Sequence, residues 1–112
     1  MNVNPRDIKF KSKIVCDIDE TIAWSPEDRD YTKSKPLLNR IAKMNRLFDE
    51  GHEIIYHTSR GTKTGGNWFW VTLNQLQEWG CRFHELRMWK PPVDTFIDDK
   101  NVNADEFFKD VE

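Results

Sequence analysis

Short apolar runs that stop abruptly at carboxylates or hydroxyls alternate along this chain with longer stretches of helical period. Lys13-Ile14-Val15-Cys16 runs into Asp17. Residues 53–56 run into Thr58, Ser59 and Arg60, and Thr95-Phe96-Ile97 runs into Asp98-Asp99. Apolar runs of this length predict buried strands, each ending at a polar edge. Between the first two, Ser34-Lys35-Pro36 reads as a helix start, with a capping hydroxyl and a proline in the first turn. Leu37, Leu38, Ile41, Leu47 and Phe48 then form a helical stripe that Gly51 ends. Residues 68–79 predict a second helix, stopped by Gly80, and 81–88 a short strand or extended link. Residues 103–111 close the chain as a short helix carrying Phe107, Phe108 and Val111.

Strand, helix, strand, helix, strand in that order predicts an α/β fold: a three-layer, Rossmann-like parallel sheet with helices on both faces. Residues 22–35, with Pro26 and many charges, read as a loop or flap. In open parallel sheets ligands bind outside the carboxyl ends of the strands. The carboxylates and hydroxyls that end the three apolar runs are therefore expected around one crevice.

The bulk properties narrow the function. At 112 residues and 38% hydrophobic the chain is expected to be a single domain, residues 1–112, with one core. A net charge of -2 argues against broad electrostatic binding to nucleic acid. Residues 1–13 are too polar for the apolar region of a secretion signal, and no apolar stretch approaches the roughly 20 residues that span a bilayer. Cys16 and Cys81 lie far apart inside apolar runs and read as small buried thiols. A cytoplasmic protein with no membrane partner is expected.

The most informative segment is Asp17-Ile18-Asp19-Glu20-Thr21. Two residues apart, Asp17 and Asp19 face the same side if the chain stays extended. Carboxylates so close repel unless a cation or a shared proton separates them. Magnesium, which takes oxygen ligands and few protein carboxylates, suits them. In isolation the pentapeptide also reads as an acidic surface loop; its place at a strand end argues otherwise.

Asp-x-Asp-x-Thr after a first strand resembles the first signature of the haloacid dehalogenase-like phosphohydrolases. Thr58, ending the next strand with Ser59 beside it, is similar to the second signature. Lys90 in Trp89-Lys90-Pro91-Pro92 is similar to the third, and Asp98-Asp99 to the fourth. The resemblance spans residues 13–108. The stretches YHTSRG, KPPVDTFIDDK and NADEFF further resemble small phosphatases of capsule and surface-polysaccharide gene clusters. It implies a fold without a cap domain and phosphomonoester hydrolysis on a sugar phosphate or similar small metabolite. Asp17 would be the nucleophile and Asp19 the acid-base. Thr58, Ser59 and Lys90 would hold the phosphate. Magnesium would sit among Asp17, Asp19 (through its carbonyl) and Asp98, with Asp99 orienting Lys90 or a metal-bound water and Thr21 and Arg60 in supporting places. An uncapped crevice also leaves room for a neighbouring subunit, as in a homo-oligomer.

Two rival functions share these features. A nucleic-acid end phosphatase would use an open site, although the chain has no basic run. A receiver-like module would accept phosphate on Asp17 without turning it over. Glu20 departs from the glycine often found in the resembling turn, and His57 and Trp89 stand beside signature residues where plainer ones are common. Arg60 and Lys63 lie in a glycine-rich loop where either could meet a second anionic group or only solvent. Trp68, Trp70 and Trp79 read as core-facing helix aromatics, with Trp68 or Trp70 bordering the crevice, and Trp24 lies in the flap.

Overall fold

The computed structural model describes residues 8–112; most of the polar start that argues against a secretion signal lies outside them. Three strands form a parallel sheet: β1 (Lys13–Cys16), β4 (Glu53–His57) and β5 (Glu85–Arg87), in the order β1-β4-β5. Cys16 stands opposite Tyr56, and His57 opposite Arg87. As the central strand, β4 is covered on both faces, and Ile54, Ile55 and Tyr56 are wholly buried. An unbroken apolar run, rather than an alternating one, is what such a strand requires. The chain thus has an α/β fold built on a parallel three-stranded sheet.

Helix α1 (Leu38–Asp49) turns Ile41 and Met44 into the core, with Leu47 and Phe48 packed against it. It begins at Leu38, four residues beyond the predicted capping hydroxyl of Ser34, and Leu37 caps it without a side-chain hydrogen bond. Lys35–Pro36 instead forms β3, which pairs antiparallel with β2 (Ala23–Trp24) and ties down the base of the flap. Proline is tolerated in so short an edge strand because few ladder bonds are lost. The Ser34 hydroxyl, expected to cap the helix, is used inside the flap. Helix α2 (Phe69–Glu78) turns Thr72, Gln75 and Leu76 inward. Gly51 and Gly80 follow α1 and α2 with φ of +102° and +73°, the left-handed conformation in which glycine ends helices without steric cost.

The predicted strand Thr95-Phe96-Ile97 does not form, and Ile97 is 93% exposed. Local hydrogen bonds compete with the ladder here. The Asp98 carboxylate accepts the Lys100 and Asn101 amides at 2.7 and 2.8 Å and the Asn101 side chain at 2.8 Å, curling the chain away. β1 consequently stays at the sheet edge with Val15 half exposed.

The chain ends in α3 (Ala104–Phe107) and a 3-10 turn, Lys109–Val111. Arg40 fastens this end to the rest. Its guanidinium reaches Asp105 at 2.9 Å, Glu112 at 2.6 Å and the Thr21 carbonyl at 3.2 Å, and lies over the Phe108 ring. Cys16 and Cys81 are free thiols, both pushed up to about 12 by burial. No helix among the described residues is long and apolar enough to cross a membrane.

Candidate active site

Asp17, the residues 58–60 and Lys90 all follow the carboxyl ends of the three parallel strands, so the sheet brings them to one edge. The Asp17 carboxylate accepts the Ile18 amide at 2.8 Å, and its other oxygen lies 3.2 Å from Lys90 Nζ. Burial raises the Asp17 carboxyl above its ordinary value, while Lys90 and the Ile18 amide pull it back. Lys90 is itself held on both sides. Its amide donates to the Thr58 carbonyl at 2.9 Å, its carbonyl accepts the Thr62 hydroxyl at 3.1 Å, and its ammonium lies 5.0 Å from the Phe96 ring centre. Trp89, immediately before it, is exposed and has φ of +67°, a left-handed conformation costly for a bulky residue.

After Asp17 the chain folds tightly. The Ile18 carbonyl accepts the amides of Thr21, Ile22 and Ala23. Glu20 occupies this turn with φ of +57°, a conformation that glycine adopts freely. A side chain is nevertheless put to use there. Its carboxylate accepts the Ser25 amide at 3.1 Å and Arg29 Nη1 at 2.6 Å, anchoring the flap to the turn.

Asp19 is held firmly. Arg60 Nε reaches Oδ2 at 3.0 Å, Arg60 Nη2 reaches Oδ1 at 2.8 Å, and the Ser25 hydroxyl donates to Oδ1. Arg60 is only 1% exposed. It therefore cannot meet a second anionic group of a substrate from the loop, as one sequence reading allowed. Thr58 is buried as well, and its hydroxyl accepts the Arg60 amide at 3.2 Å. Ser59 is the hydroxyl of this segment that lines the crevice beside Asp17 and Asp19.

Two cavities meet at Asp17. One, of about 480 Å³, runs beneath the flap and is walled by Tyr31 and Trp68, with Asp28 and Asp94 at its rim. The two rings meet edge to face at 5.0 Å. The other, of about 710 Å³, lies along the open edge of β1 and is lined by Lys90, Asp98, Thr21 and Phe96 among others. Asp99 lines neither; it is exposed and pairs with Lys100 at 2.7 Å. Asp17 and Asp98 supply the hard oxygen donors that magnesium takes, around one cavity. No three acidic, histidine or cysteine side chains converge as a metal site among the described residues. The side chain of Asp19 is already occupied by Arg60 and Ser25.

Of the remaining candidates, Trp24 is half exposed and lines neither cavity. Trp70 is exposed, and Trp79 packs against the core. Lys63 lines the crevice. Burial, with Lys90 and Arg87 nearby, holds the His57 imidazole below its ordinary range. Ser25, Tyr31 and Gln75 take part in the site without having been singled out by the sequence pattern.

The fold and its edge cluster define a small α/β protein with its polar groups gathered at the carboxyl ends of a parallel sheet. A crystal structure of a structural-genomics target from Vibrio cholerae is similar to it, with a TM-score of 0.71 and 26% identity over 86% of each chain. No family model and no curated protein matches the chain.

Proposed function

We propose that this chain is a magnesium-dependent phosphomonoester hydrolase of the capless haloacid dehalogenase-like type, with a three-layer architecture, acting through an aspartyl-phosphate on Asp17. The observation that carries the reading is the Asp17–Lys90 pair at 3.2 Å, formed between the ends of separate strands beside Ser59. A carboxylate fixed by a backbone amide and a lysine, open to a crevice on its remaining side, suits in-line attack on phosphorus.

In the first step an Asp17 oxygen forms a bond to phosphorus as the ester P–O bond breaks, and the leaving alkoxide takes a proton from Asp19. In the second, water attacks phosphorus, gives its proton to Asp19, and the bond to Asp17 breaks to release phosphate. Lys90 and the Ser59 hydroxyl stabilise the oxygens on which charge collects. Asp17, the Asp19 carbonyl and Asp98 would hold magnesium, which offsets the repulsion between an anionic nucleophile and an anionic ester.

The crevice supports a polyhydroxylated leaving group, as in a sugar phosphate. Tyr31 and Trp68 offer aromatic surface, and Asp28 and Asp94 offer acceptors for hydroxyl donors. Hydrolysis of p-nitrophenyl phosphate and of sugar phosphates, with and without chelator, tests the proposal. Steady turnover that is lost in Asp17→Asn supports it. A stable phosphoprotein without turnover would favour a phospho-accepting module.

A further inference from the structure

Arg60 is a buried cation with every donor used. Guanidinium carries five N–H groups, and each has a partner. Nε and one Nη2 proton go to the two oxygens of Asp19, at 3.0 and 2.8 Å. The other Nη2 proton goes to Ser34 Oγ at 3.3 Å, and the two on Nη1 go to Thr72 Oγ1 at 3.1 Å and Gln75 Oε1 at 2.6 Å. The Cζ atom of the group lies 4.6 Å from the centre of the Tyr31 ring. Gln75 closes the circuit by donating from Nε2 to the Tyr31 carbonyl at 2.6 Å. One side chain thus joins the acid two residues after Asp17, the flap at Tyr31 and Ser34, and helix α2.

The arrangement also selects an oxygen. A carboxyl group has about four positions for hydrogen bonding, and when it serves as an acid one of them carries its proton. Arg60 and Ser25 together occupy both on Asp19 Oδ1 and one on Oδ2. Only Oδ2 keeps a position open for that proton, and Asp19 lines the crevice under the flap. We propose that Arg60 is the positioning residue of the reaction: it aims Asp19 Oδ2 at the leaving group and locks the flap to that same geometry. This rests on the hydrolase reading above. Arg60 touches neither phosphate nor leaving group; it acts through Asp19 and Tyr31. Lysine would not replace it, because an ammonium lacks the planar fork that grips both carboxylate oxygens.

Two measurements on Arg60→Lys and Ser25→Ala test this. The first compares kcat/KM for glycerol 2-phosphate, whose alkoxide needs a proton to leave, with p-nitrophenyl phosphate, whose phenolate does not. Misplaced acid catalysis is expected to lower the first about 10²-fold in Arg60→Lys and the second far less, with Ser25→Ala shifting the ratio in the same direction. Equal losses on both esters in both variants would overturn the positioning role. The second reads hydrogen exchange, independent of activity. In Arg60→Lys the amides of Lys33 and Ser34 should exchange faster while those of β4 keep their protection. Unchanged flap exchange, or a uniform rise that includes β4, would overturn the lock. If the unaltered protein hydrolyses neither ester, the hydrolase reading and the aiming of Asp19 fall together, and exchange alone decides whether Arg60 holds the flap.

Discussion

Lys90 Nζ lies 3.2 Å from Asp17 Oδ2 at the edge of the sheet, and it is the nearest positive charge working against the burial that raises the Asp17 carboxyl. Much of the chemistry proposed for this protein follows from that pair. Asp17 must be ionised to attack phosphorus, and burial opposes ionisation.

Lys90→Met should therefore move the acid limb of the pH–rate profile. Without the ammonium, the Asp17 carboxyl rises further, so a higher pH is needed to ionise it. Loss of the charge that steadies the phosphoryl oxygens should lower kcat about 10²- to 10³-fold. A profile of kcat/KM against pH for both proteins checks this. An unchanged acid limb would show that Lys90 does not govern Asp17.

The same raised carboxyl makes a prediction about stability. Between the unfolded value near 3.8 and the higher folded value, the folded protein binds more protons than the unfolded one. Stability contributed by neutral Asp17 is thus complete at low pH and lost as pH rises through the folded value. Asp17→Asn, which removes the buried charge, should melt higher than the unaltered protein at pH 7 without magnesium, by roughly 2–5 °C. The gap should close below about pH 3. Melting curves across that range check the sign.

Glu20 sits at φ of +57° and anchors Ser25 and Arg29. Glu20→Gly and Glu20→Ala both lose the anchor, but only alanine keeps the left-handed strain. Glu20→Gly should be more stable than Glu20→Ala by about 1 kcal/mol. Urea denaturation of the two variants measures the difference directly.

Arg40 packs against Phe108 and pairs with Asp105 and Glu112. Both acids are substantially exposed, so the ion pairs contribute little and the buried stem and ring contact contribute most. Arg40→Ala should cost about 1–3 kcal/mol, and Arg40→Met, which keeps the stem, about half of that. Equal losses would assign the contribution to charge.

The parts of this structure legible in the sequence were those fixed by continuous burial. β1, β4 and most of α1 and α2 announce themselves by apolar runs and stripes, because the core accepts little else. The fourth predicted strand was not legible. Thr95-Phe96-Ile97 has the composition of a strand, yet Asp98 satisfies nearby amides with its own side chain, and the run stays in the open. The start of α1 misled for a similar reason: Ser34 looks like a cap, but its hydroxyl serves Ser25 and Arg60.

At the site, Asp17 and Ser59 could be placed from strand ends and Asp19 from its spacing to Asp17, whereas Lys90 was placed only by its resemblance to a signature. Burial of Arg60 could not be read, because a charged residue in a glycine-rich loop gives no sign of it. A signal did exist in α2. Thr72 and Gln75 lie on the same helical face as Leu76, and polar residues on a core-facing stripe imply a buried polar partner.

The most direct test of the hydrolase reading is to trap the covalent intermediate. The protein should be quenched with acid during turnover of p-nitrophenyl phosphate in magnesium. Borohydride then reduces a phosphorylated carboxyl to an alcohol, and mass spectrometry of the peptides locates it. The account predicts reduction at position 17 alone, dependent on both substrate and magnesium. Reduction at another carboxylate, or undiminished turnover in Asp17→Asn, would contradict it.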